Sequence, residues 1–177
     1  MRKVRMQDWD KFPRRRKERR CDMKERISLH RKGDIFFFSI FKRGGEGITF
    51  DEIKNSTEIA DMFALKAVEL IKKLVIGVDE SWCIITTPRR RHFSGFHFSS
   101  YVCAKIAGAV KVKYYDSAIQ TTNKDRIKPD FHLLRPIKER KIIVYDDIIT
   151  TGSTILATSV LLKDKEQVIY IIGINNN

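Results

Sequence analysis

The chain has few cysteines, no long apolar run and no recognisable metal-binding spacing. Its 177 residues include three cysteines, Cys21, Cys83 and Cys103. Odd in number and scattered, they exclude a disulfide framework and read as reduced thiols packed in a core. No stretch approaches the roughly 20 apolar residues of a membrane span, and the basic first residues lack the apolar segment of a secretory signal. A cytoplasmic location, away from membranes, is therefore expected. Neither CxxC nor HExxH spacing occurs, which argues against a structural metal. GxxxxGK[ST] is absent too, and the GGEG at 44–47 is not followed by the spacing of a dinucleotide fingerprint. There is no internal repeat.

Acidic charge is also short, and unevenly so. The net charge is +13; residues 1–43 hold 16 Lys/Arg against 6 Asp/Glu, and the rest holds 19 against 16. The excess belongs to an N-terminal arm centred on RRRKERR at 14–20, a block suited to nucleic acid or another polyanion. Residues 1–33 read as this arm, weakly periodic and partly irregular with a helical piece, and 34–177 as one α/β domain. With 42% hydrophobic residues, the chain can bury a proper core.

What is present is an alternation of strand and helix patterns. DIFFFSIFK at 34–42 reads as a strand ended by the glycines of 44–47, with Phe36 to Phe38 buried or facing a hood. Thr57 opens a helix to about Lys73, its apolar face formed by Ile59, Met62, Phe63, Ala67, Leu70 and Leu74. SWCIITT at 81–87 is a short buried strand running into PRRRHFSGFH. A helix over 96–108 ends at Gly108, and VKVKYY at 110–115 is a strand. A polar segment, 116 to about 139, precedes a strand at 141–145, a loop at 146–152, a helix from Ser153 to about Lys163 and a strand at 168–174. This order predicts an open, mostly parallel twisted sheet flanked by helices, with a small N-terminal hood or arm.

The most informative stretch is KIIVYDDIITTGST at 141–154. Ligands of such sheets bind beyond the carboxyl ends of the strands. There, the loop and helix start carrying Thr150, Thr151, Gly152, Ser153 and Thr154 make a cradle sized for one phosphate. Gly152 allows close backbone approach or a positive φ. Asp146 and Asp147 cannot hold the phosphate, because like charges repel. Their natural partners are vicinal hydroxyls, such as a ribose 2′ and 3′ pair, or water on a magnesium ion. One carboxylate per hydroxyl beside a monophosphate loop describes a ribose 5-phosphate site. At the end of the 81–87 strand, Thr87, Pro88, Arg89, Arg90 and Arg91 form a cationic loop suited to a diphosphate, with Arg89 closest to the strand. His92 and His97 are explained by loop polarity.

IIVYDDIITTGST resembles the 5-phosphoribosyl 1-diphosphate (PRPP) motif of type I phosphoribosyltransferases: a hydrophobic strand, two acids, then a small-residue phosphate loop. The order of TTPRRRHFSGFHFSSYVCAKIAG, with FSIFKRGGEG upstream, resembles the ComF-like subgroup, without the cysteine-rich zinc module such proteins often carry. The resemblance implies that Asp146 and Asp147 hold the ribose hydroxyls and act in catalysis. It implies that Thr150 to Thr154 bind the 5-phosphate and that Thr87 to Arg91 bind pyrophosphate. Lys124, Arg126 and Lys128, in QTTNKDRIKPDF at 120–131, would belong to a flexible loop closing over the substrates. The implied cofactor is Mg²⁺, bound mainly through PRPP with Asp146 and Asp147 beside it.

The implied activity transfers phosphoribosyl from PRPP to a nitrogenous base and releases pyrophosphate. The implied partners are PRPP, a nucleobase or similar small acceptor, nucleic acid through residues 14–20, and a second copy of the chain in a homodimer. The alternative is a regulatory protein that senses PRPP and uses the basic arm on nucleic acid. The last strand reaches nearly to Asn177, so the base-recognising hood is expected from residues 1 to about 50. The acceptor itself stays open between uracil, a purine, orotate and a modified base.

Overall fold

The computed structural model describes residues 19–44, 46–88, 96–122 and 128–176. The chain runs β1 (Arg20–Lys32), β2 (Ile35–Gly44), β3 (Ile48–Thr49), α1 (Phe50–Asn55), α2 (Thr57–Leu74), β4 (Trp82–Thr86), α3 (Phe98–Val110), β5 (Lys113–Tyr115), β6 (Ile119–Thr121), β7 (Phe131–Leu133), β8 (Lys141–Ile149), α4 (Ser153–Leu161) and β9 (Gln167–Asn175). Seven strands make one sheet in the order β3-β1-β2-β9-β8-β4-β5, and β6 pairs with β7 in a separate antiparallel ribbon. From β2 to β5 all neighbours are parallel, while β1 is antiparallel to both β2 and β3. The expected α/β architecture is therefore the one observed.

Helices cover both faces. Phe50 and Ile53 of α1, Phe63, Ala67 and Ile71 of α2, and Val102 and Ile106 of α3 share one apolar cluster with Ile143, Tyr145 and Ile171 of the sheet. Ile155 of α4 joins Phe37, Ile142, Val144, Tyr170 and Ile172 on the other face. The alternation Ile143/Tyr145 against Ile142/Val144 is the period-2 pleat of a strand buried on both sides. Phe63 anchors the first cluster, with its ring 4.6 Å from Phe41 and edge-on to Phe98 at 5.2 Å. The three cysteines are buried and unbridged.

The structure corrects the sequence reading at several points. Residues up to 32 were expected to be irregular with a helical piece; instead Arg20–Lys32 is a long strand on β2. Its alternation is hidden because the register shifts twice, between Cys21 and Glu25 and between Glu25 and Ser28, and each bulge resets the period-2 pattern. Phe36 is 57% exposed, with the Arg31 guanidinium over its ring, whereas Phe37 is buried. Ser56, rather than Thr57, caps α2, its side chain accepting the Ile59 N–H at 3.2 Å. α3 continues through Gly108 to Val110 and stops at Lys111, which adopts a left-handed φ of 59°. The polar 116–139 segment contains the β6–β7 ribbon.

Gly173 on β9 has no room for a side chain. A Cβ there would lie 2.6 Å from the Asp147 carbonyl oxygen and 2.7 Å from the Phe63 ring. Neither the strand backbone nor an aromatic ring wedged between Phe41 and Phe98 can yield cheaply. Gly173→Ala is expected to destabilise the fold by about 1–3 kcal/mol, seen as a lower urea midpoint; an unchanged midpoint would show that Phe63 repacks freely.

Candidate functional site

The site is created by the unequal reach of the two strands flanking β8. On one side, β9 pairs with β8 as far as Ile149–Asn175. On the other, β4 stops at Thr86 opposite Tyr145, and the Thr87 N–H makes a last bond to the Tyr145 carbonyl at 3.2 Å. Asp146 and Asp147 thus lie within β8, which extends through Ile149, and not in a loop starting at 146 as the sequence reading has it. The connection to α4 shrinks to Thr150–Gly152.

A cavity of about 510 Å³ opens at this edge. Asp146, Asp147, Thr150, Thr151, Gly152 and Thr154 line it, as do Thr87 and Pro88 at the end of β4. Ser153 supports the loop from within, its Oγ 3.0 Å from Thr151 Oγ1. Gly152 is the N-cap of α4, at φ 78° and with no side-chain cap hydrogen bond. A Cβ at Gly152 would stand 3.0 Å from Lys32 Cγ, so the end of β1 leans against the Thr150–Gly152 loop. α4 points its N-terminus into the cavity from one face of the sheet. α3 brings His97 and Ser99 to it from the other, with His97 as N-cap accepting the Ser100 N–H on Nδ1. Two positive helix ends therefore converge on one space.

The acids sit differently within it. Asp146 is 9% exposed. Burial, reinforced by the charge of Asp147, pushes its carboxyl well above the usual carboxylate range, with Thr87 and Lys54 pulling the other way. Asp147 is more open; its Oδ1 accepts the Ile148 N–H at 2.9 Å and its Oδ2 meets Lys54 Nζ at 2.7 Å. Burial disfavours the charge on Lys54, but Asp147, followed by Asp146 and Asp51, outweighs this and holds the ammonium pKa above its ordinary value. Each carboxylate retains acceptor capacity, since an ionised one offers about four lone-pair sites.

Lys54, Arg19, Thr86, His97 and Ser99 line the cavity without having been singled out from sequence for this role, and Lys32 abuts it. Thr49 and Glu52 form a capping box that marks α1 locally, yet nothing local aims Lys54 at Asp147. Arg89, Arg90 and Arg91 of the expected pyrophosphate loop, and Lys124 and Arg126 of the expected lid, lie outside the described residues. Lys128 is described and does not line the cavity. Among the described residues no cluster of three or more His, Cys, Asp or Glu could hold a metal alone. The adjacent oxygen donors Asp146 and Asp147 do suit a hard cation that arrives with its own ligands.

No protein-family model and no curated protein matches the chain. Solved structures do. An adenine phosphoribosyltransferase superposes with a TM-score of 0.50 at 14% identity, covering 84% of each chain. The adenine phosphoribosyltransferase of Saccharomyces cerevisiae, complexed with an imino-altritol bisphosphate and adenine, gives 0.50 at 15% identity, again over 84% of each chain. The protein has the type I phosphoribosyltransferase fold. In the described residues no helix is long and apolar enough to cross a membrane.

The raised Asp146 pKa has a definite sign in stability. An acid that holds its proton more tightly folded than unfolded favours the fold at low pH. That contribution is lost as pH rises from the ordinary carboxylate range through the folded value. Asp146→Asn removes the loss. Between about pH 5 and about pH 8 the variant's urea midpoint is expected to fall less than the wild type's; equal falls would show that Asp146 is not the source.

Proposed function

We propose that the protein is a phosphoribosyltransferase that uses PRPP and Mg²⁺ to move a phosphoribosyl group onto a nitrogen acceptor, releasing pyrophosphate. One observation carries this reading: a phosphate-sized loop at the N-terminus of α4 and two neighbouring carboxylates face the same cavity. The fold shared with adenine phosphoribosyltransferases agrees with it.

In this reading Thr150, Thr151, Gly152, Ser153 and Thr154, with the α4 N-terminus, take the 5-phosphate. Asp146 and Asp147 accept hydrogen bonds from the ribose hydroxyls and offset positive charge as the ring gains oxocarbenium character. The acceptor nitrogen forms its bond to C1 while the C1–O bond breaks. The electron pair of that bond leaves with pyrophosphate, and the acceptor's N–H proton, where it has one, passes to solvent. Thr87 to Arg91 neutralise the leaving group. Lys124, Arg126 and Lys128, between β6 and β7, close over it and exclude water. Mg²⁺, held through PRPP with Asp146 and Asp147 next to it, would screen the diphosphate charge. The resemblance to the ComF-like subgroup rests on the order of sequence motifs, and action on nucleic acid through residues 14–20 rests on the charge of that block.

Calorimetry with PRPP and Mg²⁺ is expected to show binding that Asp147→Asn weakens by about 10-fold or more. A panel of nucleobases is expected to include one that triggers pyrophosphate release. Binding without release for any base would favour the PRPP-sensing regulatory alternative, and no binding would sink both.

A further inference from the structure

The cavity has a third positive wall that neither phosphate of PRPP explains. α1 packs on the face of the sheet opposite α4, so Lys54 approaches Asp147 from the side away from the 5-phosphate loop. Arg19 is tied to the start of the same helix. Its carbonyl accepts the Phe50 N–H that opens α1, at 2.9 Å, and the following residue, Arg20, pairs with Thr49. Both residues line the cavity. Arg19 lies just before β1 and Lys54 within α1, apart from the loops that follow β4 and β8.

Charge and donor counts show what these side chains lack. The Lys54 ammonium has three donors, and the ion pair with Asp147 at 2.7 Å takes one. Arg19 makes no ion pair among the described residues, and its guanidinium offers a planar fork matched to a carboxylate. When Asp147 also accepts a sugar hydroxyl it keeps its charge and its pair with Lys54, and Lys54 still has two donors for a further acceptor. A neutral base placed there would leave the spare Lys54 donors and the Arg19 fork without a charged partner, whereas an anionic one meets both. The cavity of about 510 Å³ must also hold PRPP, so the anion is small.

Resting on the PRPP reading above, we propose that the phosphoribosyl acceptor is a nitrogen heterocycle bearing a carboxylate, with Lys54 and Arg19 as the residues that select it. The carboxylate meets Lys54 and Arg19, which sets the ring nitrogen toward C1 on the side opposite the departing diphosphate.

The test uses matched pairs, uracil against its 6-carboxylate and nicotinamide against nicotinate, with pyrophosphate release followed in the presence of Mg²⁺ and PRPP. The full chain is expected to favour the carboxylate in at least one pair by about 10-fold or more in kcat/KM. Lys54→Gln is expected to reduce that preference to about threefold or less, and Lys54→Arg to retain most of it. A preference for the neutral member, a ratio unchanged in Lys54→Gln, or no turnover of either carboxylate would overturn the proposal. Should Lys54→Gln fail to fold, Arg19→Gln gives the same readout. PRPP binding, measured by calorimetry on the same samples, separates the two levels. If PRPP does not bind, the underlying reading fails and takes this one with it; if PRPP binds and the preference is absent, only the acceptor assignment fails.

Discussion

Everything at the sheet edge depends on β9 pairing with β8 four residues further than β4 does. The extra pairs, through Ile149–Asn175, keep the aspartates on a regular strand, while the missing β4 neighbour opens one flank to the cavity. A strand paired on both sides to its end would bury the acids among backbone hydrogen bonds. One unpaired on both sides would leave them on a mobile loop. Half-pairing gives rigid acids with one open side, and Gly173 makes it sterically possible by letting β9, the Asp147 carbonyl and the Phe63 ring approach closely.

The electrostatics follow from that placement. Two carboxylates adjacent in sequence cannot both be fully ionised and buried without compensation. Asp146, the deeper, keeps its proton to unusually high pH, and Asp147, the more open, is paired by Lys54. Asp147 and Lys54 thus neutralise each other. A ligand of the kind proposed would compete with these internal partners, so the same charges could be redirected to it.

Much of this was legible in the chain. The order of apolar runs and helical periodicities predicted the parallel sheet, because buried parallel strands read as continuous Ile and Val runs. The 141–154 stretch predicted a strand, paired acids and a small-residue loop at one edge; Asp146, Asp147, Thr150, Thr151, Gly152 and Thr154 line one cavity with Thr87 and Pro88. The strand at 20–32 was not legible. β1 is a strand whose bulges and charged residues erase the alternation by which strands are recognised.

The sequence by itself determined the local features: the caps, the buried core strands and the juxtaposition of Asp146 with Asp147, because each is set by neighbours within a few residues. Only the tertiary structure decided that β8 runs past its β4 partner and that Lys32 lies against Gly152. It also decided that Arg19 and Lys54 meet the acids at one cavity. These are contacts between segments far apart in the chain, chosen by which faces of the sheet the helices bury, and no local pattern encodes them.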